Sequence, residues 1–218
     1  MLSNFKEKKI YIAIPKTATT AIENQIRTFS KEYERNILTT NDNQKVAVSG
    51  KHASLKEIAN ILKEDFRDYN FFALIRDPIS CTISKYRYYK YGRAYERMIR
   101  EPELQSFKKK LKVKLARLLP FSLWVLIYPL KINLKYLMIN NSIPTNVKCH
   151  TFERFKKYPK IIYDNLLEEQ IENASILLEN KTKSNNKIKI NIFSKFILKL
   201  KLREEYIFYN MIKENESL

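Results

Sequence analysis

Hydrophobic and polar residues follow one another along the first third of the chain in blocks that predict strands and helices in turn. Residues 9–14 form a short run of strand-forming residues that ends at Pro15. Apolar residues then recur at the spacing of one helix face, at Ala21, Ile22, Ile26 and Phe29. Residues 45–48 predict a second strand, and Ser54 with Glu57 has the spacing of a capping box. The pattern is therefore strand, helix, strand, helix.

The next apolar run, residues 70–75, is nearly continuous, as in a strand that is covered on both faces. Asp77 and Pro78 then begin a helix that extends to about Tyr91. Strands that alternate with helices indicate an α/β fold. We therefore predict a central, mainly parallel sheet of about four or five strands with helices on both faces.

The rest of the chain is mainly helical. Residues 97–140 are first basic, then apolar, then amphipathic, and we interpret them as a helical insertion without its own core. Residues 146–151 predict one more strand. Helical patterns cover about residues 164–180 and 194–215, and the polar residues 181–189 separate them. We predict a single domain over all 218 residues.

Composition narrows the class of protein. A hydrophobic content of 44% is enough for a core and excludes a disordered tail. A net charge of +18 attracts anionic partners, which could be nucleic acid, an acidic membrane, or molecules that carry phosphate or sulfate. Two cysteines cannot form a disulfide framework or a Cys-based zinc site, so we expect a reducing, cytoplasmic location. We expect no signal peptide and no membrane span, because the 13-residue apolar stretch Leu118–Leu130 is too short.

The segment Ile14-Pro15-Lys16-Thr17-Ala18-Thr19-Thr20 lies between a predicted strand and a predicted helix. Free N–H groups and the positive end of the helix dipole attract an anion at such a junction, and a lysine and hydroxyls add donors. The glycines of a Walker A loop are absent. The segment is a candidate phosphate cradle, and the alternative is a plain helix cap built from threonine hydroxyls.

A second candidate follows the strand at residues 70–75. Arg76 leaves the strand at the end where open α/β sheets bind ligands, and Ser84 follows two helical turns later. Both side chains could reach one phosphate. The alternative is a local ion pair between Arg76 and Asp77.

Together the two segments resemble the PAPS-dependent sulfotransferases, where PAPS is 3'-phosphoadenosine 5'-phosphosulfate, and in particular the heparan and uronyl 2-O-sulfotransferase branch. Residues 15–20 are similar to that family's 5'-phosphosulfate loop, and Arg76 with Ser84 is similar to its 3'-phosphate pair. Lys51-His52 falls where that branch has its catalytic histidine. The resemblance implies a P-loop-like fold, PAPS as sulfuryl donor, and a hydroxyl acceptor on a glycan or glycolipid.

Later segments resemble further landmarks of the family. Residues 86–95 are similar to its aromatic helix extension, and from them we take Arg87, Tyr91 and Arg93, together with Lys51, as candidate acceptor-binding residues. Residues 151–155 are similar to another landmark, and Thr182-Lys183-Ser184 to the loop that folds over the nucleotide. Cys81 stands where the family often has an arginine.

His52 is the candidate general base, because imidazole titrates near neutral pH and an attacking hydroxyl must lose a proton. The alternative is an ordinary polar histidine at the surface. Lys16 would neutralise the charge that develops on the departing phosphate oxygen. For His150, within a predicted strand, we favour a structural role.

The basic run at residues 108–117 continues into the apolar stretch Leu118–Leu130, which contains Trp124 and Tyr128. This segment is either a solvated helix followed by a buried lid, or a peripheral contact with an anionic membrane.

The sequence thus predicts sulfuryl transfer from PAPS to a hydroxyl without a metal, since no cluster of ligands is visible. A P-loop kinase would need magnesium and a glycine loop. A nucleic-acid-binding module would bind with steep salt dependence, and we predict no such partner.

Overall fold

The computed structural model describes residues 1–48, 50–130, 132–167, 188 and 190–216. The chain divides into two compact units. The first comprises Met1–Asp77, Ile132–Glu179 and Phe208–Leu218, and the second comprises Pro78–Lys131 and Asn180–Ile207. The prediction that all 218 residues form a single domain stays a prediction.

The first unit contains all the strands in the described residues. They are β1 (Leu2–Asn4), β2 (Lys9–Ile12), β3 (Glu34–Arg35), β4 (Ile37–Thr39), β5 (Lys45–Ala47), β6 (Asn70–Ile75) and β7 (Val147–Thr151). Five of them form one sheet in the order β3-β1-β2-β6-β7. Strands β2, β6 and β7 are parallel neighbours, whereas β1 runs antiparallel to both β2 and β3. The centre of the sheet is thus parallel and one edge is antiparallel.

The described helices fall in both units. Those of the first unit are α1 (Thr19–Phe29), α2 (Leu55–Leu62) with a following 3-10 helix (Lys63–Asp68), α7 (Leu134–Leu137), α8 (Phe152–Lys157) and α9 (Lys160–Leu166). Those of the second unit are α3 (Pro78–Lys90), α4 (Arg93–Arg100), α5 (Phe107–Leu118), α6 (Phe121–Ile127) and α10 (Ile192–Lys201). Helix α11 (Arg203–Asn215) contributes residues to each unit. No described helix is long and apolar enough to cross a bilayer.

Helices cover both faces of the central sheet. Alternate residues of β2 and β6, such as Ile12 and Ala73, face a core formed with α2, α7 and the end of α11. The intervening residues, such as Tyr11 and Phe72, face a second core formed with α1, α8 and α9. A large apolar side chain buried in this way contributes about 2 kcal/mol. The predicted mixed α/β fold, with a mostly parallel sheet between helices, is confirmed.

Several predicted elements need correction. The strand at residues 45–48 was expected in the parallel sheet, but β5 pairs antiparallel with β4 in a separate hairpin. The single helix expected at 194–215 is two helices, α10 and α11. Part of the helix expected at 164–180 lies outside the described residues, and α9 ends at Leu166. Strand β1 was not predicted.

The insertion does not form a core by itself. Within the second unit, α5 packs on α3 and α4, and α6 packs on α5 and α10. Trp124 is fully buried and stacks on Tyr128 with ring centroids 4.3 Å apart. Tyr86 of α3 packs against the same indole at 5.1 Å. An aromatic cluster therefore joins the insertion to α3.

Candidate functional site

The site begins in the short loop that connects β2 to α1. Its residues Lys16 and Ala18 both adopt left-handed backbone angles, with φ of 75° and 57°. Residues other than glycine rarely adopt these angles, because each one that does so costs about 1–2 kcal/mol. Thr17 is fully buried, and its hydroxyl donates to the backbone oxygen of Ile14 at 2.8 Å. Strain held in place by buried contacts is typical of functional loops.

The loop leaves the N-terminus of α1 open to an anion. Ala18 is the N-cap and provides no capping side chain, and the first turn contains no acidic residue. The plain threonine cap considered from the sequence is therefore not formed, since the hydroxyl of Thr17 turns back to the loop. Thr19 is buried and Thr20, like Pro15, is half-buried. The first N–H groups of an eleven-residue helix provide an anion-binding end.

Arg76 connects the end of β6 to this loop. Its guanidinium donates from an Nη atom to the backbone oxygen of Lys16 at 2.9 Å and lies 5.1 Å from the ring centre of Phe152. The Nε atom is buried, and among the described residues it has no hydrogen-bond partner. A buried donor of this kind requires a partner such as water or a ligand. An anionic group of a bound ligand would satisfy it.

The backbone of Arg76 is held by Asn133, a fully buried residue just before α7. Its side-chain oxygen accepts from the Arg76 N–H at 3.4 Å, and its side-chain nitrogen donates to the Arg76 carbonyl at 3.1 Å. Sequence reasoning missed Asn133. A lone asparagine within the predicted insertion carries no signal, because only the fold brings it to the end of β6.

His52 contacts the chain just after β2. Its Nδ1 atom is 2.5 Å from the backbone oxygen of Ala13. Because a carbonyl oxygen only accepts, Nδ1 must carry a proton, and the lone pair of the neutral ring is then on Nε2. His52 is an exposed residue, yet the neighbouring chain partly desolvates its ring, which lowers the pKa of His52 below 6.5, and the charge of Lys51 lowers it further. His52 is therefore neutral at neutral pH, as a base must be.

Lys51 ties the same segment to α1. Its ammonium donates to the hydroxyl of Thr20 at 2.9 Å and pairs with Glu23 at 2.8 Å. Glu23 is buried, with 1% of its side chain exposed, and the Nε atom of Arg35 lies 3.8 Å from the carboxylate oxygen that pairs with Lys51. Glu23 is thus the ion-pairing partner of the lysine that precedes His52.

The first unit thus brings together residues 15–20, Lys51, His52 and Arg76. The other candidates belong to the second unit: Ser84 and Arg87 are half-buried on α3, Tyr91 follows that helix, and Arg93 begins α4. The pairing of Arg76 with Ser84 and the acceptor-binding roles of Lys51, Arg87, Tyr91 and Arg93 stay predictions. Thr182, Lys183 and Ser184 lie outside the described residues.

The second histidine has a different environment. His150 on β7 contacts Glu216 through Nδ1 at 2.9 Å, and the same carboxylate accepts from the hydroxyl of Thr151 at 2.6 Å. These contacts tie β7 to the segment after α11, which agrees with the structural role favoured for His150. In the part of the chain that is described, no group of three or more His, Cys, Asp or Glu residues could hold a metal ion.

The uncapped helix and Arg76 lie at the carboxyl ends of central strands, which is where open α/β sheets bind ligands. A family model described as "Sulfotransferase family" matches residues 3–218. The chain belongs to the sulfotransferase family, whose members are transferases of the sulfuryl group and generally use PAPS as donor. Comparison with curated proteins and with solved structures gives no match.

Proposed function

We propose that this protein transfers the sulfuryl group of PAPS to a hydroxyl of a carbohydrate or glycolipid, with His52 as general base. The observation that carries the proposal is the convergence on one loop of the open N-terminus of α1, the buried Nε–H of Arg76 and the neutral ring of His52. Family membership favours sulfuryl over phosphoryl transfer, and thus this enzyme over a kinase.

The residues fit a nucleotide that carries two anionic groups, a 5'-phosphosulfate and a 3'-phosphate. The 5'-phosphosulfate would lie at residues 15–20, where backbone N–H groups and the side chain of Lys16 would contact it. Arg76, with Ser84, would bind the 3'-phosphate, and Thr182, Lys183 and Ser184 would close over the nucleotide as the family resemblance implies. A P-loop-like cradle without Walker glycines is consistent with the left-handed residues Lys16 and Ala18.

Bound PAPS would supply an activated sulfur atom. The acceptor hydroxyl attacks that sulfur, and the bond from sulfur to the phosphate oxygen breaks in line, leaving 3',5'-adenosine bisphosphate. His52 takes the hydroxyl proton on Nε2, because Nδ1 is held by Ala13. Lys16 neutralises the charge that grows on the leaving oxygen. No step requires a metal.

For the acceptor, we propose a sugar hydroxyl of the kind used by the heparan and uronyl 2-O branch, bound through Lys51, Arg87, Tyr91 and Arg93. Aromatic and cationic side chains suit the faces and acidic groups of a glycan. The test is incubation of the full chain with radiolabelled PAPS and separate panels of glycans, glycolipids and simple phenols. Label transferred to phenols alone would contradict the carbohydrate acceptor, and label transferred to none of the panels would contradict the proposed activity.

A further inference from the structure

Exposed apolar side chains are concentrated in the second unit. Among the described residues, every exposed large hydrophobic side chain except Phe29, Tyr158 and Met211 belongs to it. Such concentrations on a folded protein mark a contact with another apolar phase or molecule.

Helix α6 is apolar on both sides. Phe121, Trp124 and Val125 face the aromatic cluster of the second unit, whereas Leu123, Leu126 and Ile127 are exposed at helical spacing. A helix that is apolar all round is normally covered on all sides. The outward face of α6 therefore lacks the polar residues that water contact would select.

Helix α10 packs against α6 and exposes a second apolar stripe. Ile192 is 88% exposed, and Phe193, Phe196 and Leu200 are also exposed, while Ser194 and Leu198 are buried. Lys201 fixes the end of α10 to the end of α6, since its ammonium donates to the backbone oxygens of Val125 and Leu126 at 2.9 and 2.6 Å. The two stripes are thus part of one helix pair.

Helix α5 adds a third stripe and most of the charge. Phe107, Leu111 and Leu118 are exposed on it, with Phe107 at 79%. Exposed basic residues accompany the stripes of α5 and α10: Lys108, Lys114, Arg117, Lys195, Lys199 and Lys201. The sequence contains no acidic residue between Glu103 and Glu153, and none within α10. An apolar stripe bordered only by cations is complementary to a layer of anionic headgroups above hydrocarbon.

We propose that α5, α6 and α10, here called the apolar-basic surface, rest in the interface of an anionic lipid bilayer. The apolar side chains enter the boundary between headgroups and acyl chains, and Lys108, Lys114, Lys195 and Lys199 contact the lipid phosphates. Trp124, which the sequence suggested as part of such a contact, is fully buried and cannot be the anchor. The proposal does not depend on the proposed transfer activity.

The test is co-sedimentation of the full chain with vesicles of phosphatidylcholine alone and of phosphatidylcholine with phosphatidylglycerol. We expect binding to the mixed vesicles that weakens with salt, and much weaker binding to phosphatidylcholine. The double variant Phe196→Ser, Leu200→Ser should lower the affinity about tenfold or more. Its matched control is Tyr158→Ser, Met211→Ser, which removes comparably exposed apolar groups from the first unit and should bind like the parent.

Two further variants separate charge from apolar contact. Lys195→Gln with Lys199→Gln should weaken binding to the mixed vesicles by roughly fivefold per charge. Phe196→Trp should show a blue-shifted emission on vesicles, while Trp124, the one tryptophan of the parent, should not shift. Thermal unfolding of each variant checks that it is folded.

Absence of binding to mixed vesicles at low salt would overturn the proposal. Sedimentation velocity tests the alternative that this surface joins two copies of the chain. If the parent forms a dimer that the Phe196→Ser, Leu200→Ser variant abolishes, and vesicles bind neither protein, the apolar-basic surface contacts a second copy of this chain instead of lipid.

Discussion

Asn133 holds the backbone of Arg76 from both sides, accepting from its N–H at 3.4 Å and donating to its carbonyl at 3.1 Å. Arg76 is the residue at which β6 leaves the sheet, where no neighbouring strand can satisfy both groups. A side-chain amide carries a donor nitrogen and an acceptor oxygen on the same carbon, so it can bond to the N–H and the carbonyl of one residue. Asn133 is therefore a positioning residue for the guanidinium at the loop.

Replacing Asn133 by alanine should lower the free energy of unfolding by about 1–3 kcal/mol, because two polar groups of Arg76 lose their partner. It should also weaken nucleotide binding, whereas the double variant with Arg76→Ala should bind no more weakly than Arg76→Ala alone. Urea unfolding and calorimetry measure the two effects. Asn60→Ala, at an exposed position of α2, is the control and should change neither.

Arg76 itself should determine whether the 3'-phosphate is recognised. The parent should bind 3',5'-adenosine bisphosphate about 10- to 100-fold more tightly than 5'-AMP, as expected for charge-assisted hydrogen bonds. Arg76→Ala should remove most of this difference, and Arg67→Ala, which deletes an equal charge at an exposed position, should preserve it. Equal affinity of the parent for the two nucleotides in calorimetry would contradict the assignment.

The central sheet could be predicted from the sequence because its hydrophobic pattern fits only one kind of structure. Residues 71–75 are apolar without interruption, and only a strand covered by helices on both faces buries such a run. Strand β5 was assigned to the wrong sheet, because a strand of only three residues can pair with whichever strand is nearest along the chain. The chain returns at once to β4 through a tight turn in which Asn43 has a φ of 59°.

The site was predictable only where the chain itself places a residue beside a strand end. Lys16 and Arg76 each follow a central strand within a few residues, so their proximity follows from parallel pairing. Asn133 and Glu23 reach the site through topology and helix packing, which no local pattern records. The apolar pattern of α6 likewise does not reveal which of its two apolar faces is buried, so the sequence left open whether Trp124 is covered, as it is in the structure.

Substitutions of His52 and Lys16 should differ in their effects on nucleotide affinity and on the rate of transfer. His52→Ala should leave nucleotide affinity nearly intact and slow transfer roughly 10²- to 10⁴-fold, the usual effect of a positioned base. Lys16→Ala should weaken nucleotide binding and also slow transfer, because we propose that its ammonium contacts the donor. Calorimetry and single-turnover transfer measure the two quantities. Transfer by His52→Ala at the parent rate would move the search for the base to the carboxylates Glu23, Glu57 and Asp65.

Transfer should be constant at neutral pH and fall as the solution becomes acidic. Desolvation lowers the pKa of His52 below 6.5, so the ring stays neutral above that pH and takes up a proton only below it. Protonation removes the lone pair on Nε2, and the rate therefore falls as pH decreases through the lowered pKa. His150→Gln is the matched control, since it removes the other histidine and should leave the midpoint of the single-turnover profile unchanged.

Glu23 should contribute both to the stability of the fold and to the rate of transfer. Its carboxylate is 1% exposed and pairs with Lys51 at 2.8 Å. Glu23→Ala leaves a partly buried ammonium without its partner, which should lower the free energy of unfolding by about 3 kcal/mol. Because Lys51 also contacts Thr20 and adjoins His52, the variant should slow transfer even where it is fully folded.

The control for Glu23 is the surface pair of Lys6 and Glu32, which has a similar separation of 2.6 Å but exposed side chains. Glu32→Ala should leave the midpoint of urea unfolding close to that of the parent, because water solvates the remaining charge. If Glu23→Ala unfolds at the same urea concentration as Glu32→Ala, the buried carboxylate contributes no more than a surface ion pair. The link from α1 through Lys51 to His52 would then not hold the base in position, and transfer in Glu23→Ala should match the parent.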